Sequence, residues 1–150
     1  MLDPSARAHT LHVGLKKMNR EKLISVIRSQ PEAETGGAVV TVNEFFGGNE
    51  DIGSIGCNLA NHPGLDFFRL RLKEIEARED VESVWLQIYD WDEGDWPFSE
   101  NVLIKGSIQK EALDPLIEPL LPSEFEKEVL KDAPTRAPEF EGDIYRLWWD

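Results

Sequence analysis

One short turn, Asp90-Trp91-Asp92-Glu93-Gly94-Asp95-Trp96-Pro97-Phe98, brings four carboxylates and two indoles together. Trp is among the side chains most enriched at the energetic centres of protein interfaces, and carboxylates recruit Arg or Lys from a partner. This chemistry assigns Asp90, Trp91, Asp92, Glu93, Asp95 and Trp96 to a docking site for a basic protein. Two other uses of the turn stay open. Asp90, Asp92 and Asp95 are spaced closely enough to ligate a cation. However, Gly94 stands where an EF-hand needs an oxygen ligand, and no distal Glu is in register. Alternatively the turn is a hairpin loop whose Trp96 and Phe98 fold back onto the core.

A second region with chemical potential is the loop from Gly47 to Gly64, which holds Cys57 and His62. These two are the candidates for a thiolate–imidazole pair in a small enzyme or ligand-binding domain. No third residue presents itself to orient the imidazole, and a lone cysteine between Ile55 and Leu59 also reads as simply buried. The glycines at 47, 48, 53 and 56 do not form a phosphate-binding spacing, because neither GxxxxGK[ST] nor GxGxxG is present. Histidines stand only at 9, 12 and 62, with no HExxH and no CxxC, so neither a metal nor a cofactor is expected. Ser54 lies in GSIG, which lacks the spacing of a nucleophile elbow. Binding is therefore favoured over catalysis.

The elements that must position these residues belong to a chain of 150 residues, the usual size of one domain. Hydrophobic residues make up 41% of it, enough for a core without crosslinks. A single cysteine forbids an internal disulfide, and no stretch approaches the roughly 20 apolar residues that span a bilayer. A cytoplasmic location is the expectation. The net charge is −13, and it is unevenly spread. Residues 1–30 carry six bases against two acids, while the other 120 carry ten bases against 27 acids. Nucleic acid and anionic membranes repel such a body, and basic proteins are steered toward it.

Residues 1–17 lack periodicity and are expected to form a loose arm or an upstream-start extension before a single domain over 18–150. Asn19 is placed to cap a helix over 20–29. The β-branched and aromatic run 38–46 reads as a strand, and Leu65, Phe68, Leu72 and Ile75 mark an amphipathic helix over 63–78. Strands follow at 82–91 and 102–108, pairing as a hairpin around the acidic turn. A helix over 109–121, broken by Pro115 and Pro119, leads to a second helix from Ser123, where Glu126 completes a capping box. Residues 143–149 make the last strand. The order β-α-β-β-α-β after the first helix is the split, ferredoxin-like arrangement of an α+β fold, with a four-stranded antiparallel sheet. Val40, Val42, Val84, Leu86, Ile88, Val102 and Ile104 would line its helix side. The opposite face would carry Trp85, Gln87, Tyr89 and Trp91, with Thr41, Asn43, Lys105 and either Trp148 or Trp149. Such an aromatic face needs a cover: the 20–29 helix, a second copy in a structural homodimer, or a partner.

The segments Gly48-Asn49, GSIGCNL (53–59), HPG (62–64), EGDWPFS (93–99) and WWD (148–150) resemble a group of small bacterial proteins. The resemblance runs from about Val39 to Asp150 and implies no catalytic residues. In size and charge the chain is also similar to bacterial immunity proteins, which neutralise basic toxins, often nucleases. That class implies an inhibitor of a basic toxin as the function.

Overall fold

The structure, a computed structural model, describes residues 19–150; the expected arm at 1–17, with His9 and His12, lies outside the described residues. Residues 19–28 form helix α1, which buries Leu23 and Ile27 on one side. Strand β1 is only Ala38–Val40. The chain then turns at once into helix α2, Val42–Phe46, where a longer strand was expected. The reason is local. The Thr41 hydroxyl accepts from the Glu44 amide at 3.1 Å, and the Glu44 carboxylate accepts from the Thr41 amide at 2.9 Å. This reciprocal cap stabilises a helix start and outweighs the strand preference of the flanking valines. Val42, Phe45 and Phe46 then fall on one buried side at helical spacing.

Helix α3 spans Leu65–Glu76 and buries Phe68, Leu72 and Ile75, as the apolar period requires. Strands β2 (Val81–Asp90) and β3 (Phe98–Gly106) form the expected hairpin. Helix α4 covers Lys110–Ile117, with a 3₁₀ turn at Glu118–Leu120 that starts where Pro119 can no longer continue an α-helix. The next segment differs from expectation: Glu124–Leu130 is strand β4 and not a helix. Ser123 does not cap a helix, since its amide donates to Trp148 O at 2.7 Å and its Oγ accepts from the Asp150 amide at 3.0 Å. The final strand β5 is Gly142–Trp148.

The sheet therefore has five strands in the order β1-β2-β3-β5-β4, every pairing antiparallel. The fold is α+β with an open sheet, and the four-stranded ferredoxin-like arrangement gives way to this five-stranded one. One face carries the main core. Val40, Val84, Leu86, Ile88, Val102, Ile104, Tyr145 and Leu147 pack there against the buried sides of α1, α2, α3 and α4. Val42 joins the same core from α2.

The second face has its own smaller cluster: Val39, Leu103, Ile144, Ala137 and Phe140, with half-buried Trp85, Leu130 and Ala133 against it. Its cover is the connection 131–141, which crosses the face as a strap; α1 packs on the other side. Burying Phe140 and Ile144 here contributes on the order of 1.5–3 kcal/mol each. Polar anchors hold the strap. Thr135 donates its amide and hydroxyl to Glu32 Oε1 at 2.9 and 2.5 Å. Arg136 forms a two-pronged pair with Glu44 at 2.6 and 2.8 Å and lies 5.2 Å above the Trp85 ring. Glu139 accepts from Trp85 Nε1 at 3.0 Å and from Ser83 Oγ at 3.2 Å. Self-association through this face would have to displace a strap already fixed at both ends.

Candidate protein-interaction surface

At the β2–β3 turn the structure separates the indoles from the carboxylates. Trp91 is 8% exposed and Trp96 2% exposed, and both join the main core. The expectation that they face solvent as contact residues is thereby corrected. Their polar edges are also satisfied: Trp91 Nε1 donates to Ala33 O at 3.1 Å, and Trp96 Nε1 to Phe45 O at 2.8 Å. Register shifts between Gln87 and Asp90 end the strict alternation of β2, so Trp91 leaves the second face on which period-two counting placed it. Asp90, Asp92, Glu93 and Asp95 remain exposed around these pegs. Tyr89, 64% exposed, stands beside them with its ring edge-on to Phe98.

The tip is fixed from outside as well. Arg20 donates from Nε to Asp95 O at 3.1 Å and from Nη2 to Gly94 O at 3.0 Å. The Arg28 guanidinium lies 5.3 Å over the Trp91 ring. Two bases of α1 thus brace the tip through its carbonyls and its indole, leaving the four carboxylates at the surface. Among the described residues no group of three or more His, Cys, Asp or Glu is placed to hold a metal ion.

The loop 47–64 brings Cys57 and His62 into no mutual hydrogen bond. Cys57 is exposed, not buried beside Ile55 and Leu59. His62 Nδ1 accepts from the Gly64 amide at 2.9 Å, so Nε2 carries the proton and donates to Ile55 O at 2.8 Å. An imidazole with both nitrogens tied to backbone has no free lone pair to take a thiol proton. Its role is to clamp the loop.

Beside this clamp lies a groove of about 710 Å³ between residues 48–52 and the start of α3. Phe46, Pro63, Leu65 and Phe67 give it an apolar floor, and Ile52 stands on its rim, 55% exposed. Among the described residues that line it, Glu50 and Asp66 are the charged ones. A second cleft, about 500 Å³, lies between α1 and α2 and is lined by Asn19, Lys22, Val26, Asn43 and Glu44 among others. Gly48, Asn49, Glu50, Ile52, Pro63 and Gly64 of the groove's lining belong to the loop 47–64 that the sequence singled out, whereas Phe46, Leu65, Asp66 and Phe67 come from the flanking helices.

Shifted titrations fall at the strap and at the exposed Arg78–Asp80 pair, where the mutual hydrogen bonds raise Arg78 and lower Asp80. Burial pushes the Glu44 carboxyl up, but the Arg136 hydrogen bonds, the Thr41 amide and the Arg136 charge together hold it below the usual range. Arg136 is correspondingly raised, first through its hydrogen bonds to Glu44. Glu32 is lowered, chiefly by the Thr135 hydroxyl and then by the Thr135 amide.

A family model described as the uncharacterized protein YfbO family matches residues 18–148. The chain belongs to this family. It is also 24% identical over 132 residues to the uncharacterized protein YfbO of Escherichia coli (strain K12), covering 86% of this chain and 94% of that one. No solved structure matches the chain. In this YfbO-family chain the turn motifs seen in the sequence converge on one place. Ile55 of GSIGCNL bridges to Ser99 of EGDWPFS, and Asn58 donates to Asp150 O of the terminal WWD at 2.8 Å. Trp149 Nε1 donates to Leu120 O at 2.9 Å, and its ring packs 5.5 Å from Phe68, which is 5.1 Å from His62 of HPG. Gly56 sits at φ +63°, and a Cβ there would press on Leu59 at 3.1 Å and Phe68 at 3.2 Å. These motifs therefore knot the loops to the core.

Proposed function

We propose that this protein is an acidic binding module for a basic protein, an immunity-type inhibitor whose partner is a basic toxin such as a nuclease. The observation that carries this is the β2–β3 tip. Asp90, Asp92, Glu93 and Asp95 are exposed there beside Tyr89, on a turn pinned by two buried indoles and by Arg20. A turn whose backbone is already held loses less conformational freedom on docking than a mobile one would. The net charge of −13 adds long-range attraction for a cationic partner and speeds encounter. Tyr89 takes the role first given to the indoles, as an amphipathic ring that slows release.

The test challenges the immobilised chain with basic nuclease toxin domains of pI above about 9. At least one should bind, with an association rate that falls about tenfold or more as salt is raised. Replacing Asp92 and Asp95 with Asn should slow association several-fold and leave dissociation nearly unchanged. If no basic domain binds at low salt, or if binding ignores both salt and these substitutions, the reading fails.

A further inference from the structure

Between the start of the strap and the second face of the sheet lies a cavity of about 160 Å³. Gln87 of β2, Leu103 of β3 and Arg146 of β5 line it from the sheet, and Ala133 and Pro134 line it from the strap. Glu32 joins the lining from the connection between α1 and β1. Sites for drug-sized ligands run to about 300–1,000 Å³, so this cavity admits something much smaller. An apolar cavity of about 150 Å³ holds one benzene, which sets the occupant at about six non-hydrogen atoms.

Two charged groups of the lining have hydrogen-bonding capacity left over. Oε1 of Glu32 takes both donors of Thr135, while Oε2 is buried and has no partner among the described residues. A carboxylate oxygen shut away from water without a donor is costly, so it calls for an N–H or O–H from a ligand. Arg146 is held by three bonds: Nε donates to Glu128 Oε2 at 3.0 Å, and Nη1 donates to Gln87 Oε1 and Asn101 Oδ1 at 3.2 Å each. Nη2 bonds to none of the described residues, and a guanidinium fixed in this way presents its remaining N–H groups in set directions. Asp132 adds a second, exposed carboxylate, and Leu103, Leu130 and Pro134 supply apolar wall.

We propose that this cavity is a binding site for a small α-amino acid, of the size of alanine. The ammonium donates to Glu32 Oε2, the carboxylate accepts from Arg146 Nη2, and the methyl group rests against Leu103 and Pro134. A molecule bearing both charges meets both leftover groups without adding net charge to the cavity. A simple cation would face Arg146, and a simple anion would face Glu32 and Asp132. Because Ala133 and Pro134 belong to the lining, a bound ligand ties the strap more firmly to the sheet. The site is separate from the acidic tip and stands or falls independently of the protein-binding function.

The probe is L-alanine, titrated into the full chain to about 10 mM while backbone amide resonances and the melting temperature are followed. The amides of Gly37, Gln87, Ala133 and Arg146 should shift together and saturate, and the melting temperature should rise with ligand. Ethylammonium and acetate, each carrying one of the two charges, should bind at least about tenfold more weakly. Glu32→Gln keeps an acceptor for Thr135 but turns a donor toward the ammonium, so it should weaken binding about tenfold or more. Ala133→Leu fills the cavity from the strap without touching either charged group. It should keep the parent's fold by circular dichroism and lose alanine binding. If L-alanine gives no saturable shift at these amides, the cavity takes water alone and the proposal is overturned. Ethylammonium or acetate binding as tightly as alanine would disprove the paired recognition. Undiminished binding by Glu32→Gln or by Ala133→Leu would put the ligand outside this cavity and overturn the proposal as well.

Discussion

Trp96 is the residue on which the chemistry of the acidic turn depends, because its ring lies in the core while its neighbours face water. Its Nε1–H satisfies the carbonyl of Phe45, near the end of α2, so one side chain ties the hairpin tip to that helix. Trp96→Ala should destabilise the chain by about 3–5 kcal/mol, through lost burial and a residual cavity. Trp96→Phe keeps most of the ring and should cost on the order of 1 kcal/mol, for the hydrogen bond. Urea unfolding measures both, and a loss for Trp96→Ala within about 0.5 kcal/mol would mean that the indole is not the peg described.

Glu44 is the other residue with two employers, since it caps α2 and holds Arg136 of the strap. Its carboxyl is held below the ordinary Glu range in the folded chain. Its stabilising contribution is thus present at neutral pH and disappears as pH falls through that lowered value, when protonation breaks the pair. Glu44→Gln keeps an acceptor for the Thr41 amide and removes only the charge. The variant should lose about 1–3 kcal/mol at neutral pH, with the difference from the parent shrinking in acid. Parallel unfolding curves at neutral pH and well below pH 4 read this directly, and an unchanged difference would count against the mechanism.

At the scale of elements, β4 is an open sheet edge that its own side chains guard. Antiparallel pairing with a copy places residues of equal parity opposite each other, so Glu126 would meet Glu128 and Lys127 would meet Lys127. Like charges in register discourage edge-to-edge addition. Replacing Glu126 and Lys127 with Val should therefore raise concentration-dependent association, followed by light scattering on mild heating. Unchanged scattering would show that the charges are not the guard. The same strand explains a misjudged segment. Glu and Lys favour helices, and Ser123 with Glu126 mimics a capping box, yet Phe125, Lys127 and Val129 alternate with three glutamates in a strand's period. Conversely Thr41 and Glu44 spelled out a true capping box inside a run that β-branched residues made look like a strand. In both places a short-range signal competed with a neighbour of opposite meaning: at 41–46 the local cap prevailed, and at 124–130 pairing with β5 did.

For the molecule as a whole, a charge of −13 sets a self-repulsion that dissolved salt should screen. The melting temperature should rise as monovalent salt increases from low ionic strength, because most ion pairs here are half-exposed and lose less than the repulsion does. A fall in melting temperature with salt would mean that the pairs dominate. No helix among the described residues is long and apolar enough to cross a membrane.

Sequence alone determined the α+β class, the β2–β3 hairpin, the apolar stripe of α3 and the acidic character of the surface. These depend on local periodicity and on composition, which no folding event alters. The tertiary structure decided which way Trp91 and Trp96 point, that the strap 131–141 covers the second face, and that Ile52, Phe67 and Asp66 share a groove. Those facts arise from contacts between residues far apart in the chain and from register shifts at a strand's end. A one-dimensional pattern carries no record of either.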